Sequence, residues 1–234
     1  MRRISLLAAF LLLVRVPSPA QCEGGLSWDF DDEENEGFSL GTFLSDTFTP
    51  KLVLDTKKVR SYIRDPRFRV LTERCGDLRA VDGIYLKALK IADYDIARAL
   101  FLSLMGTLEH QSVEFKVPLL GILGVPLTFE EDSLFQCRRT NLPTKIYQDT
   151  PPEGDKDKLQ HFFASAYLAY ASDSPELAKQ SGNFVEWGES KFIAGGADDP
   201  RDKRANQHGE AFGRDLLVVK TLLPSDYLRL PHEQ

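Results

Sequence analysis

Residues 199–213 read DPRDKRANQHGEAFG, and the two glycines in this stretch limit what the chain can become. Asp199-Pro200 supplies an N-cap followed by proline at the first helical position, so a helix is expected from Pro200 to about Leu222. At about 100° per residue, Asp202, Asn206, Gly209 and Gly213 fall within about 60° of one another on that helix. Each glycine costs roughly 1 kcal/mol relative to alanine inside a helix. A pair of them four apart is retained where a neighbouring backbone approaches closely. The fold therefore has to offer this face a second helix.

The partner is legible upstream. Residues 157–162 read DKLQHF, and Leu159, Phe162, Phe163, Ala166, Tyr167 and Tyr170 follow with helical spacing as one apolar stripe. Asp157 and His161 project about 40° apart on the opposite side. That side continues with Ala164 and Leu168, so the helix is expected to be sandwiched. A histidine buried there needs a polar partner. The economical arrangement is one buried cluster shared by Asp157, Lys158, His161, Asp202 and Asn206, with Gly209 and Gly213 as the helix-packing positions. Between the two helices, Ser174-Pro175 starts a segment that Gly182 can stop. Asn183–Ala194 is expected to be helical and to end at Gly195-Gly196, bringing Glu186 and Glu189 to the cluster. Each residue taken alone has a simpler role. Asp157 with Gln160, Asn183 with Glu186, and Asp199 with Asp202 all fit capping boxes, Lys158 fits a surface lysine, and Glu189 a solvated acid. The combination carries the argument.

The remainder also reads as mainly helical. Ile84, Leu89, Ile91, Ile96, Leu100 and Leu104 recur at three- and four-residue steps. Asp82, Asp93 and Asp95 leave open whether residues 81–109 form one long helix or two shorter ones. The segments VPLLGILGVPLTFEEDSLF and TNLPTKIYQDTPPEGD are punctuated by proline and glycine and are expected to be irregular connectors. The expected fold class is mainly α. It comprises one compact, bundle-like helical domain over 51–234, with the motif-bearing helices at 155–222.

The N-terminus has a different character. Arg2 and Arg3 precede an apolar run from Ile4 to Val14, and Ser18-Pro19-Ala20 closes it. This is the layout of a secretory signal peptide over residues 1–20, cleaved after Ala20, which implies a periplasmic or secreted protein. Residues 21–50 contain WDFDDEENEGF and are expected to be a disordered acidic leader. Removing residues 1–20 takes away three arginines and no acid. Lys+Arg then falls from 29 to 26 against 35 Asp+Glu, and the net charge moves from −6 to −9. An acidic chain without a basic block argues against a nucleic-acid partner. The most apolar later stretch, Val117–Leu127, is too short for a transmembrane span after signal cleavage. Of three cysteines, Cys75 and Cys137 lie within the folded region and are expected to pair, adding about 4 kcal/mol. Cys22 stands in the leader and lacks the flanking residues of a lipidation signal.

No H-E-x-x-H, G-x-S-x-G or phosphate-binding loop is present. One reading is a non-catalytic envelope protein whose polar cluster fixes helix register, with the leader as a tether or interaction arm and an envelope protein or lipid as partner. The alternative is a hydrolase acting on an envelope component. His161, Glu186 and Asp202 are its candidate catalytic residues, with Glu186 as a general base. Asp157, His161, Glu186 and Asp202 would be its ligands for a divalent metal, zinc or manganese. A pocket between 117–127 and the C-terminal helices would suit an apolar group.

The ordered series Asp157-Lys158-x-x-His161-Phe162, Glu186-x-x-Glu189 and Asp199-x-x-Asp202-x-x-Ala205-Asn206-x-x-Gly209-x-x-x-Gly213 resembles the VanZ-like family. It is similar, more closely, to small periplasmic proteins with the same pattern. The resemblance spans residues 155–215 and implies a helical fold in a bacterial extracytoplasmic setting, with no established reaction to carry over. VanZ-like proteins cross the membrane several times, whereas this chain offers no span after its signal.

Overall fold

The computed structural model describes residues 51–117, 121–126, 130–173 and 200–228, with backbone alone for 112–117 and 121–126. Among these residues seven α-helices dominate: α1 (Lys51–Arg64), α2 (Pro66–Cys75), α3 (Asp77–Ile91), α4 (Ile96–Thr107), α5 (Asp132–Asn141), α6 (Lys156–Asp173) and α7 (Pro200–Asp215). A short 3-10 turn follows at Pro224–Asp226.

Local chemistry sets most of the boundaries. The Asp65 carboxylate accepts from Arg67 N–H at 2.7 Å and Pro66 begins α2, the N-cap and N1 arrangement read for Pro200. Gly76, at φ 85°, ends α2 and turns the chain into α3. The helical pattern over 81–109 resolves into two helices. Asp93 (φ 55°) and Tyr94 (φ 66°) take left-handed conformations, and Asp95 then caps α4 by accepting from Arg98 N–H at 3.0 Å.

Two expectations change here. The stretch expected to be an irregular connector, residues 117–135, contains a strand, β2 (Gly121–Pro126), which pairs antiparallel with β1 (Ser112–Val117) just upstream, Ser112 opposite Pro126 and Val117 opposite Gly121. Ser-Val-Glu-Phe-Lys-Val alternates polar and apolar residues, the period of a strand, and that alternation outweighs the Pro/Gly punctuation downstream. The last helix also stops at Asp215 rather than about Leu222. Leu217 N–H bonds to Arg214 O, and Val218 and Val219 N–H to Asp215 O, so the ladder tightens into turns. The next residues then lead to the 3-10 turn.

That turn docks on α3 through a buried carboxylate. Ser225 donates from its N–H and its hydroxyl to the two oxygens of Asp82, each at 2.8 Å, and Arg79 adds a bond at 3.0 Å. Burial still pushes the Asp82 carboxyl above its ordinary value against these three bonds.

One continuous apolar core runs through every described helix except α5. α6 lies between α4 and α7 and is buried almost all round, with Leu159, Phe162, Phe163, Ala166 and Leu168 inside. No described helix is long and apolar enough to cross a membrane.

Candidate functional site

The close approach demanded by the glycine pair is met by α6. A methyl group at Gly209 would fall on the Phe162 carbonyl, and one at Gly213 on the Ala166 carbonyl. Residue numbers rise together along both contacts, so α6 and α7 run parallel and touch backbone to backbone over one turn. Phe212, between the glycines, stacks on Phe162 at 5.4 Å with ring planes 23° apart, and meets Tyr85 edge-on at 5.5 Å.

Parallel packing brings the two helix N-termini, and their positive dipole ends, to the same edge of the molecule. That edge favours carboxylates. Asp157 and Asp202 lie in the first turns of α6 and α7. The Lys158 ammonium sits between them, 2.5 Å from a carboxylate oxygen of each. Its side chain is only 2% exposed, so the lysine is a buried counter-ion and not a surface group. One turn on, His161 Nδ1 is 3.2 Å from the Asn206 side-chain oxygen, which also accepts from the Ser165 hydroxyl at 3.1 Å. With the amide in this orientation Nδ1 is the nitrogen that donates. Nε2 faces Asp202 at 3.6 Å, beyond hydrogen-bond distance.

Asp157, Lys158, His161, Asp202 and Asn206 therefore meet in one place, above the contacts of Gly209 and Gly213. Glu186 and Glu189, the helical segments placed between 174 and 199, the signal segment and the acidic leader lie outside the described residues. So do the side chains of the apolar segment beside which a pocket was expected. Among the described residues, no three His, Cys, Asp or Glu side chains are grouped to hold a metal ion. Of the four candidate ligands, Asp157 and Asp202 instead share the Lys158 ammonium. The Cys75–Cys137 bridge is not formed: Cys137 is a free thiol on the exposed face of α5, and Cys75 is disulfide-bonded elsewhere. Membership of the folded region did not bring the two side chains together.

Sequence reasoning missed two neighbours of this site and one centre apart from it. Ser165, one turn beyond His161, was readable from its spacing. Residues 142–155, read only as a connector, form a strap against the other face of α7. Asp155 is fully buried, takes an ion pair from Arg201 and a hydrogen bond from the Thr150 hydroxyl, and donates its N–H to Thr144 O at 2.8 Å. Arg204 stacks on Tyr147 at 4.3 Å and bonds both oxygens of Asp149, at 2.6 and 2.9 Å. The spacing of Arg201, Arg204 and His208 along one helix face was the available signal.

The third is a second buried ionic joint, where α1 and α5 meet the C-terminal end of α4. Arg138 is fully buried and donates to Gly106 O at 2.9 Å, Leu108 O at 2.7 Å and Glu130 at 2.9 Å. Arg60 reaches Met105 O at 3.0 Å, and Arg64 also pairs with Glu130. Burial, then the neighbouring Arg138 guanidinium, push Arg60 down to about 10. No protein-family model, curated protein or solved structure matches the chain.

Proposed function

We propose that this is an exported, non-catalytic bacterial envelope protein whose Asp157–Lys158–His161–Asp202–Asn206 cluster locks α6 and α7 in a parallel register. One observation carries the reading. The position a catalytic cation would take between Asp157 and Asp202 is filled by the chain's own Lys158 ammonium, buried and 2.5 Å from each carboxylate. A pair tied in this way fixes geometry at some cost in stability, a role attested for buried polar groups that set helix register. The glycine contacts beneath it make register matter. A slip of one residue would drive a side chain into the Phe162 or Ala166 carbonyl. The extracytoplasmic setting in this proposal rests on the signal-like segment and the VanZ-like pattern, and the acidic leader is its tether or interaction arm toward an envelope partner.

The deciding experiment is elemental mass spectrometry of the protein after loading with zinc and with manganese, beside His161→Ala and Asp202→Asn. Sub-stoichiometric metal throughout, with both variants less stable to urea by about 1–3 kcal/mol, supports a structural lock. One equivalent of metal that His161→Ala loses would overturn it. The metal-dependent hydrolase with Asp157, His161, Glu186 and Asp202 would take its place.

A further inference from the structure

We propose that the strap over residues 142–155 is an acid-releasable clasp on α7, with His208 as its trigger. The strap is held on α7 by three contacts along one face of that helix. Arg201 pairs with buried Asp155. Arg204 bonds Asp149 and lies over the Tyr147 ring. The Tyr147 hydroxyl is 3.4 Å from His208 Nδ1, with the two rings edge to face at 5.7 Å. Two of the three are ion pairs. The third changes character at mildly acid pH.

With neutral imidazole carrying its hydrogen on Nε2, the phenol O–H donates to Nδ1. The phenol keeps its proton, because burial raises the Tyr147 pKa above its ordinary value. Protonation of His208 turns Nδ1 into a donor, so the phenol hydroxyl has to turn and accept from it instead. It also sets a second positive charge beside the Arg204 guanidinium, whose Nε is buried with no hydrogen-bond partner. Arg204 is the charge acting on His208 from its own helix, while Asp149 and Asp155 on the strap act on Tyr147. Of the titratable groups on α6, Asp157, Lys158 and His161 are engaged with one another, Asp202 and Asn206 on the other face of α7, and Lys156 donates to Arg139 O.

The sign follows from these surroundings. Burial, then Arg204, hold the His208 pKa below its ordinary value, so the clasped state prefers the neutral ring. The contribution is fully present above the unfolded histidine value of about 6.5 and is lost as pH falls through the lower folded value. Tyr147 and Ile146 are buried in the core, so release withdraws apolar side chains together with the strap. It also frees Arg201 and Arg204 on the turn that carries Asp202.

The test is hydrogen exchange on the full chain at pH 7.5 and 5.0, corrected for intrinsic rates, with His208→Gln and Tyr147→Phe alongside. The expected result is loss of protection confined to 142–155. It deepens by up to about tenfold per pH unit below 6.5, is absent in His208→Gln and is blunted in Tyr147→Phe. An NMR titration of His208 on the same protein should place its pKa below the unfolded value. Equal acid sensitivity in His208→Gln, unchanged strap protection in the parent, or a His208 pKa above the unfolded value would each overturn the proposal.

Discussion

Two of the buried ionic centres among the described residues are built on opposite logic. At the α6–α7 edge, two helix N-termini meet, and the chain supplies carboxylates to them and a single lysine between the carboxylates. At the α4 end, a helix C-terminus meets three arginines. Arg138 and Arg60 satisfy carbonyls that no helical N–H reaches, while Glu130 ties Arg138 to Arg64. Each end of the dipole receives the opposite charge. The difference lies in what each centre secures. The lysine centre fixes how two helices slide against each other, whereas the arginine centre closes an otherwise unpaired helix end inside the core. Arginine suits the second task because its planar fork reaches two carbonyls and a carboxylate at once, and lysine suits the first as a compact point charge.

The comparison can be broken by substitution. The largest effect is expected at Arg138. Arg138→Met leaves the Gly106 and Leu108 carbonyls and the Glu130 carboxylate without this donor inside the core, and should cost about 3–5 kcal/mol in urea denaturation. Arg138→Lys should recover less than half of that, since one ammonium cannot span the three acceptors. Full recovery would mean that charge alone, and not the fork, holds the α4 end.

Lys158→Met should cost less, about 2–3 kcal/mol. Asp157 is partly exposed, with 43% of its side chain in solvent, and can rehydrate, so only Asp202 is stranded. A loss as large as that of Arg138→Met would show that the two centres are equally closed to water. Gly209→Ala sharpens the register argument and should cost about 1–3 kcal/mol by forcing α7 off the Phe162 carbonyl. Its effect should be non-additive with Lys158→Met, because both act on one interface, and additive with Arg138→Met. A double-mutant cycle showing the reverse would remove the link between glycine contact and lysine cluster.

How much of this was readable beforehand follows the same division. The lysine centre was legible because every part of it repeats at helical spacing within two short segments. Asp157 to His161 and Asp202 to Asn206 are each one turn apart, and the glycines announce the contact. The hairpin strand was equally legible in the alternation of Ser112–Val117, and the Pro/Gly count drew attention away from it. Arg138 was not legible. Its partners are main-chain carbonyls of Gly106 and Leu108, which leave no trace in residue type, and a carboxylate eight positions upstream. The Cys75–Cys137 pairing failed for a related reason, since co-location in one domain says nothing about which helix faces point together.

By itself the sequence determined the helical periodicities, the helix start at Pro200, and the demand of Gly209 and Gly213 for a close neighbour. These are properties of a dozen residues or fewer, set by backbone sterics and by the 3.6-residue repeat. Only the tertiary structure decided that α6 and α7 run parallel, so that two positive helix ends share one set of acids. It also decided that Lys158 is buried between them, that residues 142–155 clasp α7, and that Arg138 closes α4. Those outcomes depend on which surfaces come together across tens of residues of chain. The energy that selects them is apolar burial, which is non-directional and does not name its partner in advance.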